Sequence, residues 1–122
     1  MLPGFEDIKY DITEQDIPVA ELIAKGLNNH VGKDRAFSNV QIRKILKDQR
    51  GIKISDPKFR AMIVYIRGNN LVFRLCACGK GYYKAANDQE WEEWKLSARL
   101  RAKKILFAVE IGEFFDGGQE KL

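Results

Sequence analysis

Hydrophobic positions recur with a helical period in four segments of the chain. In the first segment Pro18 suits the first helical turn and Gly32 closes the helix. Its apolar positions are Val19, Leu22, Ile23, Leu27 and Val31.

The second segment opens with Ser38, places Gln41 in a capping-box arrangement and ends at Gly51. Its apolar positions are Ile42, Ile45 and Leu46.

The third segment predicts a helix with two different faces. Asp56 is expected to cap this helix and Pro57 to occupy its first turn. The apolar arc consists of Phe59, Met62, Ile63 and Ile66. The opposite arc consists of Pro57, Arg60, Ala61, Val64 and Tyr65, with Lys58 and Arg67 at its edges. Because a buried structural helix does not need this mixture of small, basic and aromatic residues, the second arc indicates a helix presented to a partner.

The segment "LVFRLCACGKGYYK" predicts a β-hairpin with strands over residues 71–76 and 81–84. Gly79 and Gly81 permit a positive φ, so the turn leaves Lys80 exposed at the tip. Tyr82 and Tyr83 alternate faces, and one of them is expected to pack inward.

The fourth segment predicts a long helix that Asn87 caps and that carries two apolar stripes. One stripe consists of Trp91, Trp94, Ala98, Ala102, Ile105 and Val109. The other, on nearly the opposite side, consists of Leu96, Leu100, Phe107, Ile111 and Phe114. One stripe is expected to meet the core and the second needs another partner. That partner is either a second protomer or residues 1–17, which contain Phe5, Ile8, Tyr10 and Ile12.

Three helices followed by a hairpin predict an α+β, mainly helical protein with a winged helix-turn-helix fold and a long C-terminal helix. The chain of 122 residues fits one compact domain with extensions. The predicted divisions are an acidic N-terminal extension (1–17), a winged-helix domain (18–86), a long C-terminal helix that packs on the core or dimerises (87–116) and a flexible tail (117–122).

Charge is unevenly distributed along the chain. The formal net charge is +4, but residues 1–24 carry −5, residues 33–84 carry +10 and residues 106–122 carry −3. A basic middle with acidic ends indicates either a polyanion partner or a solvated basic face. The first residues include acids and lead into no apolar signal region, and no apolar run reaches membrane-spanning length. We therefore expect a cytoplasmic protein without a membrane partner.

Candidate catalytic and metal sites find little support in the sequence. Cys76 and Cys78 lack the Cys-x₂-Cys spacing of zinc and redox sites, and the one histidine, His30, lies far upstream. We interpret both cysteines as structural thiols, with a redox sensor as the alternative. "GKGYYK" lacks phosphate-binding-loop spacing, and the acids of "EWEEW" suit a helix N-terminus. The sequence therefore predicts no enzyme, no cofactor and no metal.

The stretches "YDITEQD", "VGKDRAFSNVQI", "FRAMIVYIRGNNLV", "KGYYKA" and "EWEEWKLSARLRAKKI" resemble small winged-helix proteins of bacterial prophages and mobile elements. The resemblance covers about residues 10–111, and "KGYYKA" running into an arginine-rich helix is its most specific part. It implies the fold and a DNA-rich setting rather than an activity. Such proteins usually carry Ser where Cys76 and Cys78 stand, which argues against a shared metal role.

These observations predict a non-catalytic module for double-stranded DNA, with helix three in the major groove and the hairpin as the wing. The expected base contacts are Lys58, Arg60 and Tyr65, with Ala61 permitting close approach. The expected phosphate contacts are Lys44, Lys47, Arg74, Lys80 and Lys84. Pairing of two protomers through the C-terminal helix would suit two half-sites. The alternative is a protein–protein adaptor that docks through Val64, Tyr65 and the second stripe of helix four.

Overall fold

The computed structural model describes residues 2–117, which form four α-helices and one hairpin. The helices are α1 (Ile17–Leu27), α2 (Asn39–Arg50), α3 (Asp56–Gly68) and α4 (Asp88–Asp116). The strands are β1 (Leu75–Cys78) and β2 (Gly81–Lys84). The α+β, mainly helical prediction is confirmed, as is the long C-terminal helix. None of the described helices is long and apolar enough to cross a membrane. Of the predicted tail, residues 117–122, only Gly117 belongs to the described residues.

The first helix is shorter than predicted. A 3-10 turn at Glu14–Asp16 leads into α1, which has Pro18 in its first turn and ends at Leu27. The predicted end at Gly32 is wrong because residues 30–32 pair with the end of β2 instead. His30 O accepts from Lys84 N at 2.9 Å, and Gly32 N donates to Lys84 O at 2.8 Å.

The second helix has the predicted ends. Ser38 Oγ accepts from Gln41 N at 3.1 Å, and Ser38 N donates to Gln41 Oε1 at 2.9 Å, so the capping box is confirmed. Gly51 terminates α2 in the left-handed conformation, with φ of 65°. Ile42 and Leu46 are buried against the neighbouring helices.

The third helix buries the predicted apolar arc of Phe59, Met62, Ile63 and Ile66. Its cap is Ser55 rather than the predicted Asp56. Ser55 is extended and its hydroxyl accepts from Lys58 N at 3.2 Å. Asp56 is already helical, and its carboxylate turns to Arg60 and Asn39.

The hairpin begins later than predicted. Asn70 and Arg74 have φ of 51° and 56°, which breaks the extended chain and delays β1 until Leu75. The strands pair antiparallel, with Cys78 opposite Gly81. Gly81 has φ of +131°, whereas the predicted positive φ at Gly79 is absent.

A third short strand segment joins the hairpin through Phe37. Phe37 N donates to Tyr82 O at 2.8 Å, and Tyr82 N donates to Phe37 O at 2.9 Å. The connection between α1 and α2 is thereby fixed beside β2. Tyr83 is the inward-facing tyrosine, and the ring of Tyr82 packs edge-on against Phe59 at 5.7 Å between centroids.

The core lies between α1, α2, α3 and the hairpin. Its largest fully buried side chains are Leu27, Phe59, Met62, Ile66, Val72 and Cys76. At its edge α4 packs through Trp91 and Trp94, and the guanidinium of Arg67 lies 4.7 Å from the Trp94 ring. Of the first predicted stripe of α4, only the part up to Ala98 meets the body, and residues 99–117 are exposed throughout.

The N-terminal segment, residues 10–16, packs along one side of α3. The Tyr10 ring lies edge-on to Tyr65 at 5.4 Å between centroids. Lys58 Nζ donates to Asp16 Oδ2 at 2.8 Å. The alternative that residues 1–17 cover the second stripe of α4 is wrong for the described residues, because Phe5 and that stripe are both exposed.

Candidate nucleic-acid interface

A cleft opens where the start of α2, the exposed side of α3 and the hairpin turn meet. Its volume is about 300 Å³. The lining residues are Ser38, Asn39, Val40, Arg60, Ala77, Cys78, Gly79, Gly81 and Tyr82. The hairpin can close one side of this cleft because Gly81 has no Cβ. A side chain at that position would collide with the backbone of Phe37 and Ser38.

A polar network joins α2 to α3 beside the cleft. Arg43 Nε donates to Asn39 Oδ1 at 2.6 Å, and Asn39 Nδ2 donates to Asp56 Oδ1 at 2.5 Å. Arg60 Nε donates to Asp56 Oδ2 at 2.9 Å, and this bond holds the pKa of Asp56 below its usual value. One carboxylate and one amide thus position two guanidiniums, whose remaining N–H groups stay available to a ligand.

A second, more basic groove lies on the outer side of α2. Its volume is about 480 Å³, and it is lined by Val40, Arg43, Lys44, Lys47, Asp48, Lys53 and Ile54. Lys44 Nζ lies 2.7 Å from Asp48 Oδ2, an exposed pair that ordinary salt weakens. Val40 lines both the groove and the cleft, so the two form one continuous surface. We call this surface, together with Lys80 at the hairpin tip, the basic face.

The structure brings only some of the predicted DNA-binding residues onto the basic face. Lys44, Lys47 and Arg60 line it, and Lys80 is exposed at the hairpin tip. Ala61 lies half-buried on α3.

Lys58 and Tyr65 are engaged by the N-terminal segment. Lys58 pairs with Asp16, which lowers the pKa of that carboxyl, and Tyr65 packs against Tyr10. The predicted base-contacting side of α3 is therefore partly covered. Arg60 is the member of the predicted set that remains 69% exposed.

Arg74 and Lys84 lie at the other end of the hairpin. Arg74 Nη1 pairs with Asp88 Oδ1 at 2.5 Å, at the start of α4. Lys84 Nζ reaches Asn28 Oδ1 at 3.5 Å, at the end of α1. Lys84 lies three residues from Gly81 along β2, which is about 10 Å at the rise of a strand. Arg74 and Lys84 are therefore both separated from Lys80, which lies at the hairpin tip.

The two cysteines have different surroundings. Cys76 is fully buried, and burial raises the pKa of its thiol. Cys78 is half-buried and lines the cleft. Among residues 2–117, no group of three or more His, Cys, Asp or Glu side chains is placed to hold a metal ion.

Sequence reasoning missed Asn39, Arg43 and Lys53. Asn39 and Arg43 are four residues apart on α2, and Asp56 and Arg60 are four apart on α3. Because residues at this spacing are neighbours on a helix, each of these two pairs could have been predicted from the sequence. The bond between Asn39 and Asp56 joins residues 17 apart and depends on how α2 and α3 pack. Lys53 lies in the connection between those helices, where periodicity gives no information about direction.

Comparisons of the sequence with protein-family models and with curated proteins, and of the fold with solved structures, found no match.

Proposed function

We propose that this protein is a non-catalytic winged helix-turn-helix protein that binds double-stranded DNA through the basic face. The order of elements supports the fold: α1, a strand segment at Phe37, α2, α3 and a hairpin. A short connection separates α2 from α3, as in helix-turn-helix proteins. The resemblance to prophage and mobile-element proteins is part of this proposal.

The continuity of the basic face is the observation that carries the proposal. Its cations are Arg43, Lys44, Lys47, Lys53, Arg60 and Lys80, and its acids Asp48 and Asp56 are each paired. Several cations spaced along one groove can contact successive phosphates of a DNA backbone. Such phosphate contacts contribute a large part of the affinity of DNA-binding proteins.

Roles within the face follow from position. Arg60 faces the cleft between α3 and the hairpin, so it is assigned to base edges. Ala61, the next residue of α3, is half-buried and is assigned only to close approach of the DNA. Lys44, Lys47 and Lys80 are assigned to phosphates. Lys58 and Tyr65 reach DNA only when the N-terminal segment leaves α3. Arg74 and Lys84 would contact phosphate only beyond the far end of the hairpin.

The deciding experiment is fluorescence anisotropy with a labelled mixed-sequence duplex at several salt concentrations. Five phosphate contacts predict that affinity falls about 500-fold or more between 50 and 200 mM salt, from the slope of about −0.9 per contact. No binding at 50 mM salt would reject the proposal.

Matched substitutions separate a specific surface from general charge. Lys47→Ala is expected to weaken binding uniformly and to reduce the salt slope by about one. Lys25→Ala removes the same charge from an exposed site on α1 outside the basic face and should leave the slope unchanged. Equal losses in both variants would mean that the basic face is not the binding surface.

A protein–protein adaptor is the second candidate function. Val64 is 44% exposed on α3, and an apolar groove of about 280 Å³ lies between α1 and α2. A partner held by such apolar contacts would lose little affinity with salt and would tolerate Arg60→Ala. DNA binding with a steep salt slope would favour the first function, and no DNA binding at 50 mM salt would favour the second.

A further inference from the structure

The second half of α4 projects from the body with its apolar side chains in solvent. From Arg99 to Asp116 every residue is exposed, a length of about 27 Å at the rise of an α-helix. The stripe that faces away from the body consists of Leu96, Leu100, Phe107, Ile111 and Phe114, which are 37–74% exposed. Helices of this length draw most of their stability from packing an apolar face, so this one needs a partner.

The charge pattern along the projecting half fits a second copy of the same helix. Four cations come first, namely Arg99, Arg101, Lys103 and Lys104. An apolar stretch, residues 105–109, follows, and then the acids Glu110, Glu113 and Asp116. A second copy laid antiparallel places the cations of each helix opposite the acids of the other. A parallel copy would place like charges side by side.

The positions around the helix axis agree with an antiparallel pair. At 100° per residue, Lys103 and Glu110 fall on the same flank of the apolar stripe, and Arg99 and Glu113 fall near them. In a two-fold antiparallel pair, each flank meets its own equivalent on the other helix. With Phe107 near the axis, Lys103 lies beside the partner's Glu110.

We propose that two copies of this chain pair through the projecting halves of α4, antiparallel, with Phe107 close to the two-fold axis. The apolar stripe forms the seam, and the Lys103–Glu110 flank fixes the direction. None of the cations of the basic face takes part, so failure of this pairing and failure of DNA binding are separate outcomes.

Sedimentation equilibrium of the full chain tests the pairing. The wild type is expected to be a dimer at micromolar concentration, and Phe107→Asp a monomer because two carboxylates would meet at the axis. Ile105→Asp is the matched control, since Ile105 is 67% exposed and Phe107 64%, but Ile105 lies on the opposite side of the helix. Ile105→Asp should remain dimeric.

Three results would overturn the proposal: a monomeric wild type at 100 µM, a dimer that Phe107→Asp leaves intact, or a dimer that Ile105→Asp disrupts equally. If the chain is monomeric and binds phosphatidylserine vesicles in a flotation assay, the apolar stripe binds a lipid surface instead.

Two charge reversals test direction. In an antiparallel pair, Lys103→Glu places a second carboxylate beside the partner's Glu110, and Glu110→Lys places two ammonium groups together, so each variant should dimerise more weakly than the wild type. A mixture of the two variants restores opposite-charge contacts between the two helices. We expect the mixed dimer to form with at least tenfold higher affinity than either variant alone. A mixture no tighter than the separate variants would contradict the antiparallel arrangement.

Discussion

Cys76 and Cys78 share one face of β1 but differ in access to solvent. Cys76 is fully buried, and burial raises the pKa of its thiol, which keeps the less reactive protonated form. Cys78 is half-buried at the wall of the cleft that includes Arg60. The reactivity of Cys78 therefore reports on a ligand that covers the hairpin turn, and the reactivity of Cys76 is the control.

We expect a maleimide reagent to modify Cys78 at least tenfold faster than Cys76 in the folded protein, as measured by peptide mass spectrometry. Bound duplex DNA should slow the modification of Cys78 because it covers the cleft. The rate at Cys76 should not change. Modification of Cys78 at the same rate with saturating DNA would show that DNA leaves the hairpin turn uncovered.

Asp16 holds the N-terminal segment against α3 together with Tyr10. Its hydrogen bond from Lys58 lowers the pKa of its carboxyl from the ordinary 3.8. The contribution of this pair to stability is therefore complete above that value, and it is lost as pH falls through the lower pKa of the folded state. At neutral pH the pair holds Lys58 away from any ligand of α3.

Asp16→Asn keeps the shape of the side chain and removes its charge. We expect this variant to bind DNA several-fold more tightly at pH 7, because Lys58 becomes available on α3. Asp11→Asn is the control, since it removes the same charge from an exposed site of the same segment. Affinity that rises equally in both variants would indicate loss of general repulsion rather than release of Lys58.

The same pair should appear in the pH dependence of stability. Thermal unfolding of wild type and Asp16→Asn should differ at pH 7 and converge as pH falls below 3.8. A difference that stays constant down to pH 2 would show that the carboxylate charge does not stabilise the fold.

At the scale of elements, the hairpin is fixed to the connection before α2 by one glycine. Gly81 has φ of +131°, and its missing side chain lets Phe37 pair with Tyr82. Gly79, two residues earlier, has no positive φ and has open space around it. Gly81→Ala is expected to lower the free energy of unfolding by about 1–3 kcal/mol.

Gly79→Ala is the matched control for Gly81→Ala and should stay within about 0.5 kcal/mol of the wild type. Urea denaturation measures both. Equal effects at the two positions would mean that the contact between Phe37 and β2 does not depend on the glycine.

Elements that rest on spacing within the chain were predictable. The capping box of Ser38 and the buried arc of α3 each involve neighbours within one helix, so a single sequence contains the necessary information. The end of α1 was not predictable, because His30 and Gly32 leave the helix only to pair with Lys84, far along the chain.

The candidate site divides in the same way. A cluster of cations between residues 33 and 84 was visible in the sequence. The pairing of Lys58 with Asp16 was not visible in the sequence, because Asp16 lies 42 residues away on a segment whose path depends on tertiary packing. For the same reason the hairpin separates Arg74 and Lys84 from Lys80, although all three belong to one predicted wing.

At the scale of the whole molecule, the proposed dimer sets the distance between two basic faces. Trp94, where α4 packs on the body, lies 13 residues before Phe107, so the two copies of Trp94 lie about 39 Å apart along the paired helices. That separation is comparable to the ~34 Å between half-sites one turn apart on DNA. In a dimer that contacts both half-sites at once, the second contact gains from effective concentration.

The salt slope therefore tests whether both basic faces bind one duplex. If each protomer contacts about five phosphates, the dimer slope is about −9, and the slope of the monomeric Phe107→Asp variant is about −4.5. Ile105→Asp should keep the dimer slope. Anisotropy titrations on a duplex of three helical turns measure all three proteins. If Phe107→Asp is monomeric but keeps the wild-type slope, one basic face carries all the contacts, and the pairing of α4 serves a purpose other than holding two half-sites.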